Sequence, residues 1–194
     1  MKTLKDFNFT GKNVLVRCDF NVPVIDGVVA DDFRIKSTIS TIRFLVEEDA
    51  KVILMSHLEN ANGENLSLSP VKEKIEEYLG EKIFMANDCI GENLKSQISN
   101  LKNGDVLLLE NLRFHEEEKN NDLEFAKQLS EIGNIFVEDA FGVCQRAHAS
   151  LVGIPKFLPS CAGLLLEKEI NVLSGVLEKP AKPLVVIIGG AKIS

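Results

Sequence analysis

The 194-residue sequence alternates between two apolar rhythms, and that alternation restricts its fold more than any other feature. The runs NVLVRC (13–18), KVILMS (51–56), KIFMA (82–86), VLLLEN (106–111) and IFVEDA (135–140) are short and almost continuously apolar. Between them apolar residues recur every three or four positions, as Ile35, Ile39, Ile42 and Val46 do within 31–49, which predicts helices. In SPVKEKIEEYLG, Ser69 is expected as N-cap, Pro70 at the first helical position and Gly80 just past the end. IGENLKSQISNL gives a further helix that breaks at Asn103-Gly104-Asp105. In DLEFAKQLSEIG, Leu123, Ala126, Leu129 and Ile132 are expected on one face, with Gly133 closing the helix. A last helix over about 162–177 carries Leu164, Leu165, Ile170, Leu173 and Val176, and Val185–Ile188 reads as a buried closing strand. Strands that are apolar throughout suit a sheet covered on both faces, and strands alternating with helices suit parallel pairing. The expected class is therefore α/β, a three-layer α/β/α arrangement around a parallel, Rossmann-like sheet.

Composition narrows the function. The length suits one domain, or one domain and a fragment. No apolar run approaches the ~20 residues of a membrane span. The opening MKTLKDFNFTGK has no apolar stretch of signal-peptide type, so no membrane partner and a cytoplasmic location are expected. Cys18, Cys89, Cys144 and Cys161 are widely spaced with no CxxC pair, which argues against disulfides and a zinc site. A net charge of −7 argues against a nucleic-acid partner. There are only five arginines, and Arg17, Arg34, Arg113 and Arg146 sit beside strand ends or loop motifs. Their planar fork matches carboxylate and phosphate, so an acidic chain that places arginine this way points to a small anion.

Ligands of open α/β sheets bind beyond the carboxyl ends of the strands. Those positions hold Asp19-Phe20-Asn21-Val22-Pro23, Ser56-His57, Glu110-Asn111-Leu112-Arg113, Glu138-Asp139-Ala140-Phe141-Gly142 and Arg146-Ala147-His148-Ala149-Ser150. Standard nucleotide, hydrolase and metalloprotease signatures are missing, and Gly189-Gly190-Ala191-Lys192 resembles a phosphate loop only loosely.

In order, VLVRCDFNVP, DDFRI, VILMSHL, GDVLLLENLRFHEEE, VEDAFGVCQRAHASLVGIP and PLVVIIGGAKIS resemble phosphoglycerate kinase along essentially the whole chain. The resemblance implies a two-domain enzyme that moves a phosphoryl group reversibly between 1,3-bisphosphoglycerate and ADP, with Mg2+. It implies a glycerate-binding domain over 1–160, a connecting helix over 161–178, and over 183–194 the first strand and loop of a truncated nucleotide-binding domain. Asp19, Phe20, Asn21, Arg34, His57, Asn60, Arg113 and Arg146 then fall at substrate-binding positions. Arg34 and Lys192 take the catalytic roles, and Gly190, Ala191 and Lys192 face the nucleotide. No metal ligand is expected in this chain, because Mg2+ with ADP or ATP would be held mainly by the absent domain. The expected partners are 3-phosphoglycerate or 1,3-bisphosphoglycerate, bound by a monomer that is inactive alone. Two other readings stay open, a non-catalytic module for small phosphoacids and a structural fragment. The sequence departs from the family's SHLGRP at Glu59 and Asn60, where Gly-Arg is usual, and from its usual Asn and His at Glu138 and Gln145.

Overall fold

The computed structural model describes residues 1–178, 180 and 182–187. Its strands are β1 (Asn13–Arg17), β2 (Val24–Ile25), β3 (Val28–Val29), β4 (Lys51–Met55), β5 (Phe84–Met85), β6 (Val106–Leu108), β7 (Ile135–Glu138) and β8 (Ser160–Ala162). The α-helices are α1 (Phe33–Glu47), α2 (Ser69–Leu79), α3 (Glu92–Ser99), α4 (Glu116–Lys119), α5 (Leu123–Glu131) and α6 (Leu164–Glu178). Six strands form one sheet in the order β5-β6-β4-β1-β7-β8, and every pairing in it is parallel. β2 and β3 form a separate antiparallel hairpin.

The apolar strands are apolar because both faces are covered. On one face Val14, Val16, Val52 and Leu54 pack with Ile35, Ile42 and Leu45 of α1 and with Val71 and Ile75 of α2. On the other, Leu15, Ile53 and Met55 pack with Leu94 and Ile98 of α3 and with Phe125, Ala126 and Leu129 of α5. Alternate residues of one strand thus feed opposite cores, the period-two geometry of a strand. Parallel pairing sends every strand of this sheet towards the same edge, and the candidate site gathers there.

Several details differ from the expectation. Ser69 lies inside α2, and Leu68 holds the cap position without a side-chain bond. The Glu110 carboxylate takes over that role by accepting the Leu68 N–H at 2.9 Å. Leu123 is exposed and Phe125 buried, which rotates the apolar face of α5. The hairpin and β8 were not anticipated. β8 pairs with β7 through Phe136↔Ser160, Val137↔Cys161 and Glu138↔Ala162, so the expected division after residue 160 cuts a strand of the sheet. Of the expected closing strand, Val185–Ile187 has no strand pairing and all three side chains are exposed. Ile188, Gly190, Ala191 and Lys192 lie outside the described residues. Among the described residues no helix is long and apolar enough to cross a membrane.

Candidate functional site

Arg17, the last residue of β1, is fully buried. Its Nε–H donates to Ser150 Oγ at 3.0 Å and its Nη1 donates to the Cys18 carbonyl. Ser150 Oγ donates in turn to Glu118 Oε1 at 2.6 Å, and Glu118 also accepts the Ser150 N–H at 2.8 Å. One hydroxyl therefore links a buried guanidinium to a buried carboxylate.

The third contact of Arg17 fixes His57. Arginine can only donate, so Arg17 Nη2, 3.3 Å from His57 Nδ1, makes that nitrogen an acceptor and places the ring proton on Nε2. Burial, followed by the cations Arg17, Arg113 and Arg146, pushes the His57 pKa down to about 2. His57 thus presents a neutral N–H donor at Nε2 rather than a cation.

On the near side, the first turn of α1 brings Arg34 to Asp19. Arg34 Nη1 donates to both carboxylate oxygens, at 2.9 and 2.8 Å, while its side chain stays 51% exposed. A groove lined by Asp19, Phe33, Arg34, Phe141, Leu165 and Lys168 runs from this pair to the start of α6. Asn21 Oδ1 accepts the Glu59 N–H at 3.0 Å. Phe20 is buried in the core, and its N–H donates to Ser56 Oγ at 2.9 Å.

Asn111 sets the far side. Its Nδ2 donates to the carbonyls of Leu58 and Leu66, both at 2.7 Å, and its Oδ1 accepts the Arg113 N–H at 2.9 Å. Arg113 is thereby aimed at the loop after β4, where its Nη1 donates to Glu59 Oε1. Lys119 Nζ reaches the same oxygen at 2.9 Å. Burial raises the Glu59 pKa, but the bonds from Lys119 and Arg113 outweigh it and hold the carboxyl below its ordinary value. Asn60 does not join the cluster. Its Oδ1 accepts from the N–H groups of Asn62 and Glu64 at 2.9 Å, and its Nδ2 donates to Glu64 Oε2 at 2.6 Å. Arg146 is exposed, yet close enough to His57 to help hold it neutral.

The structure thus joins Asp19, Asn21, Arg34, His57, Arg113 and Arg146 at one edge, while Asn60 closes its own loop. Of the supports, Asn111 and Ser150 stand in strand-end segments the sequence already marks, without a role assigned to them, whereas Glu118 and Lys119 were missed. Ser150 lies in the AHAS segment already singled out by the pattern, and that was the available signal.

Two neighbouring carboxyls set a pH dependence. Burial pushes Glu138 up to about 8, against the pull of Arg17, and pushes Asp139 up to about 6. A carboxyl whose folded pKa is raised binds its proton more tightly in the native state, so its contribution is complete below the unfolded pKa and lost as pH rises through the folded value. For Glu138 that window runs from about 4.5 to about 8. Glu138→Gln is expected to melt with the wild type near pH 4.5 and several degrees above it at pH 8, because the ionised carboxyl then disfavours only the folded state. Thermal scans across that range check it, and an unchanging difference contradicts it.

With the geometry in view, likeness to known proteins becomes decisive. The family model for phosphoglycerate kinase matches residues 4–194. The chain belongs to the phosphoglycerate kinase family. The phosphoglycerate kinase of Borrelia hermsii is 51% identical over 197 residues, taking in 100% of this chain and 50% of that protein. The one from Dictyoglomus turgidum is 49% identical over 193 residues, with 98% and 49% covered. Among solved structures, phosphoglycerate kinase from Pyrococcus horikoshii superposes with a TM-score of 0.87 at 34% identity, covering 94% of this chain and 47% of that one. The chain spans about half the length of the curated relatives it matches.

Proposed function

We propose that this phosphoglycerate kinase chain carries the glycerate side of the family's reaction. It binds 3-phosphoglycerate or 1,3-bisphosphoglycerate while phosphate passes to or from a magnesium-bound nucleotide. One observation supports this reading above the rest: guanidinium and imidazole donors from four separate segments converge at the carboxyl edge of one parallel sheet. In the ATP-consuming direction the acid's carboxylate oxygen forms a bond to the γ-phosphorus and the bond to ADP breaks. A carboxylate is already ionised at neutral pH, so no general base is needed. The protein's task is to position the acid and spread its charge.

Magnesium is the metal this reaction implies. Among the described residues one group could hold an ion, Asp88, Cys89 and His115, with donor atoms within 4.8 Å of one another. Burial and the adjacent Asp88 push the Cys89 thiol far up, and Mg2+ takes oxygen ligands. That set does not fit Mg2+, so the steps assigned to these residues concern the acid alone.

Titration calorimetry with 3-phosphoglycerate tests the reading. Arg34→Ala and Arg113→Ala are each expected to weaken binding about tenfold, equivalent to about 1.4 kcal/mol. Binding insensitive to both substitutions contradicts the assignment. The 194-residue chain by itself is expected to show negligible turnover in an ATP-dependent coupled assay, and turnover near that of a full-length relative contradicts this.

A further inference from the structure

The loop after β4 places a carboxylate where the proposed ligand's own anion should go. Arg113 has a side chain only 3% exposed, so nothing from solvent reaches its guanidinium while Glu59 stays in position. Its Nε is buried without a partner, leaving a donor that Glu59 does not satisfy. Glu59 is held at three points: its N–H on Asn21, and its carboxylate on Arg113 and Lys119. The loop behind it is closed by Asn60, which ties Asn62 and Glu64 back onto itself, while Asn65 Nδ2 donates to the Arg113 carbonyl at 2.6 Å. Glu59 therefore engages two residues assigned to the acid, Asn21 through its backbone and Arg113 through its side chain.

We propose that Glu59 is a built-in competitor, a carboxylate that covers Arg113 and must be exchanged for an anionic group of the ligand before the site is complete. The inference rests on the proposed binding of a phosphoglycerate at this edge. In the exchange one oxyanion leaves Arg113 as another arrives, so the guanidinium is never left without a counter-charge. Lys119, with a side chain 48% exposed, is free to follow the departing carboxylate into solvent. The consequence is weak, exchange-limited binding in the wild type. Because Arg113 and Lys119 keep Glu59 ionised, mild acid does not lift the cover.

Glu59→Gln removes the charge while retaining the N–H that Asn21 accepts, and Glu59→Ala removes the group. Both are expected to tighten 3-phosphoglycerate binding by about tenfold in calorimetry, and in an Arg113→Ala background the gain should shrink below about twofold. Glycerate, which lacks the phosphate, and glycerol 3-phosphate, which lacks the carboxylate, are titrated alongside, and a gain with either supports the exchange and identifies the group that takes Arg113. Binding that Arg34→Ala weakens, but that both Glu59 variants leave unchanged or weaken, overturns the competitor and spares the proposed site. A gain that persists at full size without Arg113 also overturns it. No binding by wild type or either variant overturns both readings.

Discussion

Replacing Arg17 with methionine is expected to lower the stability of this chain by about 3–5 kcal/mol, the cost of breaking a buried charged network from one side. For a chain of this length that is roughly a 10 °C loss in midpoint. Methionine fills much of the volume but donates nothing. His57 Nδ1 loses its donor, the Cys18 carbonyl is left with Ser56 Oγ alone, and Ser150 Oγ keeps Glu118 while losing the guanidinium behind it. Glu118 is fully buried, so its charge is left without the cation that the hydroxyl connected to it. Lysine at position 17 should rescue only part of the loss, because one ammonium cannot span three acceptors arranged around a planar fork. Ser150→Ala, which removes the connecting hydroxyl but keeps both charges, should cause a smaller loss. Urea unfolding with unchanged slope measures the difference, and a loss under about 1 kcal/mol for Arg17→Met contradicts the network.

The sheet was legible because local pattern and global environment agree. Val14, Leu15 and Val16 are all apolar since each meets a covered face, and nothing in that run needs a distant partner to be understood. The hairpin carried a readable signal too. Asp26 and Gly27 both have positive φ, 50° and 78°, and an Asp-Gly pair between Val-Ile and Val-Val is the usual sequence of such a turn. β8 was not legible, because Ser160-Cys161-Ala162 is too short for a periodicity and is specified by its neighbour β7. The arginines of the candidate site stood out in the sequence from their places beside strand ends or loop motifs. Their supports were hidden, since Arg17 meets Ser150 133 positions away and Arg113 meets Glu59 54 positions away. Such contacts depend on topology, which composition and spacing do not encode. Helix α6 was legible from its apolar residues, but two of them, Leu173 and Val176, are 45% and 44% exposed. Only Leu166 of that helix is buried.

That sparse packing makes α6 depend on its N-terminus, so two glycine-to-alanine changes, one just before it and one within it, should have opposite signs. The first N–H groups of the helix are satisfied from elsewhere in the fold. Leu164 donates to Thr41 Oγ1 at 3.0 Å, and Leu165 and Leu166 donate to Asp139 Oδ1 at 3.0 and 3.1 Å. Gly163 lies directly against that carboxylate. An added Cβ would stand 2.3 Å from Asp139 Oδ1, 2.5 Å from its Cγ and 2.9 Å from its Cβ. The conflict involves the root of a fully buried side chain, so no flexible end can swing aside. Gly163→Ala must push Asp139 away from the helix start, combining overpacking with the loss of a cap, for a penalty of roughly 2–4 kcal/mol. Gly175 sits on the exposed side of the same helix, and a Cβ there meets nothing within 4 Å. Gly175→Ala only removes backbone freedom from the unfolded chain and should add about 0.5–1 kcal/mol. Denaturant melts of the two variants decide the matter. Equal and small effects would mean that α6 does not rely on Asp139. A large loss confined to Gly163→Ala would show that the polar end of α6, rather than its apolar face, holds it to the domain.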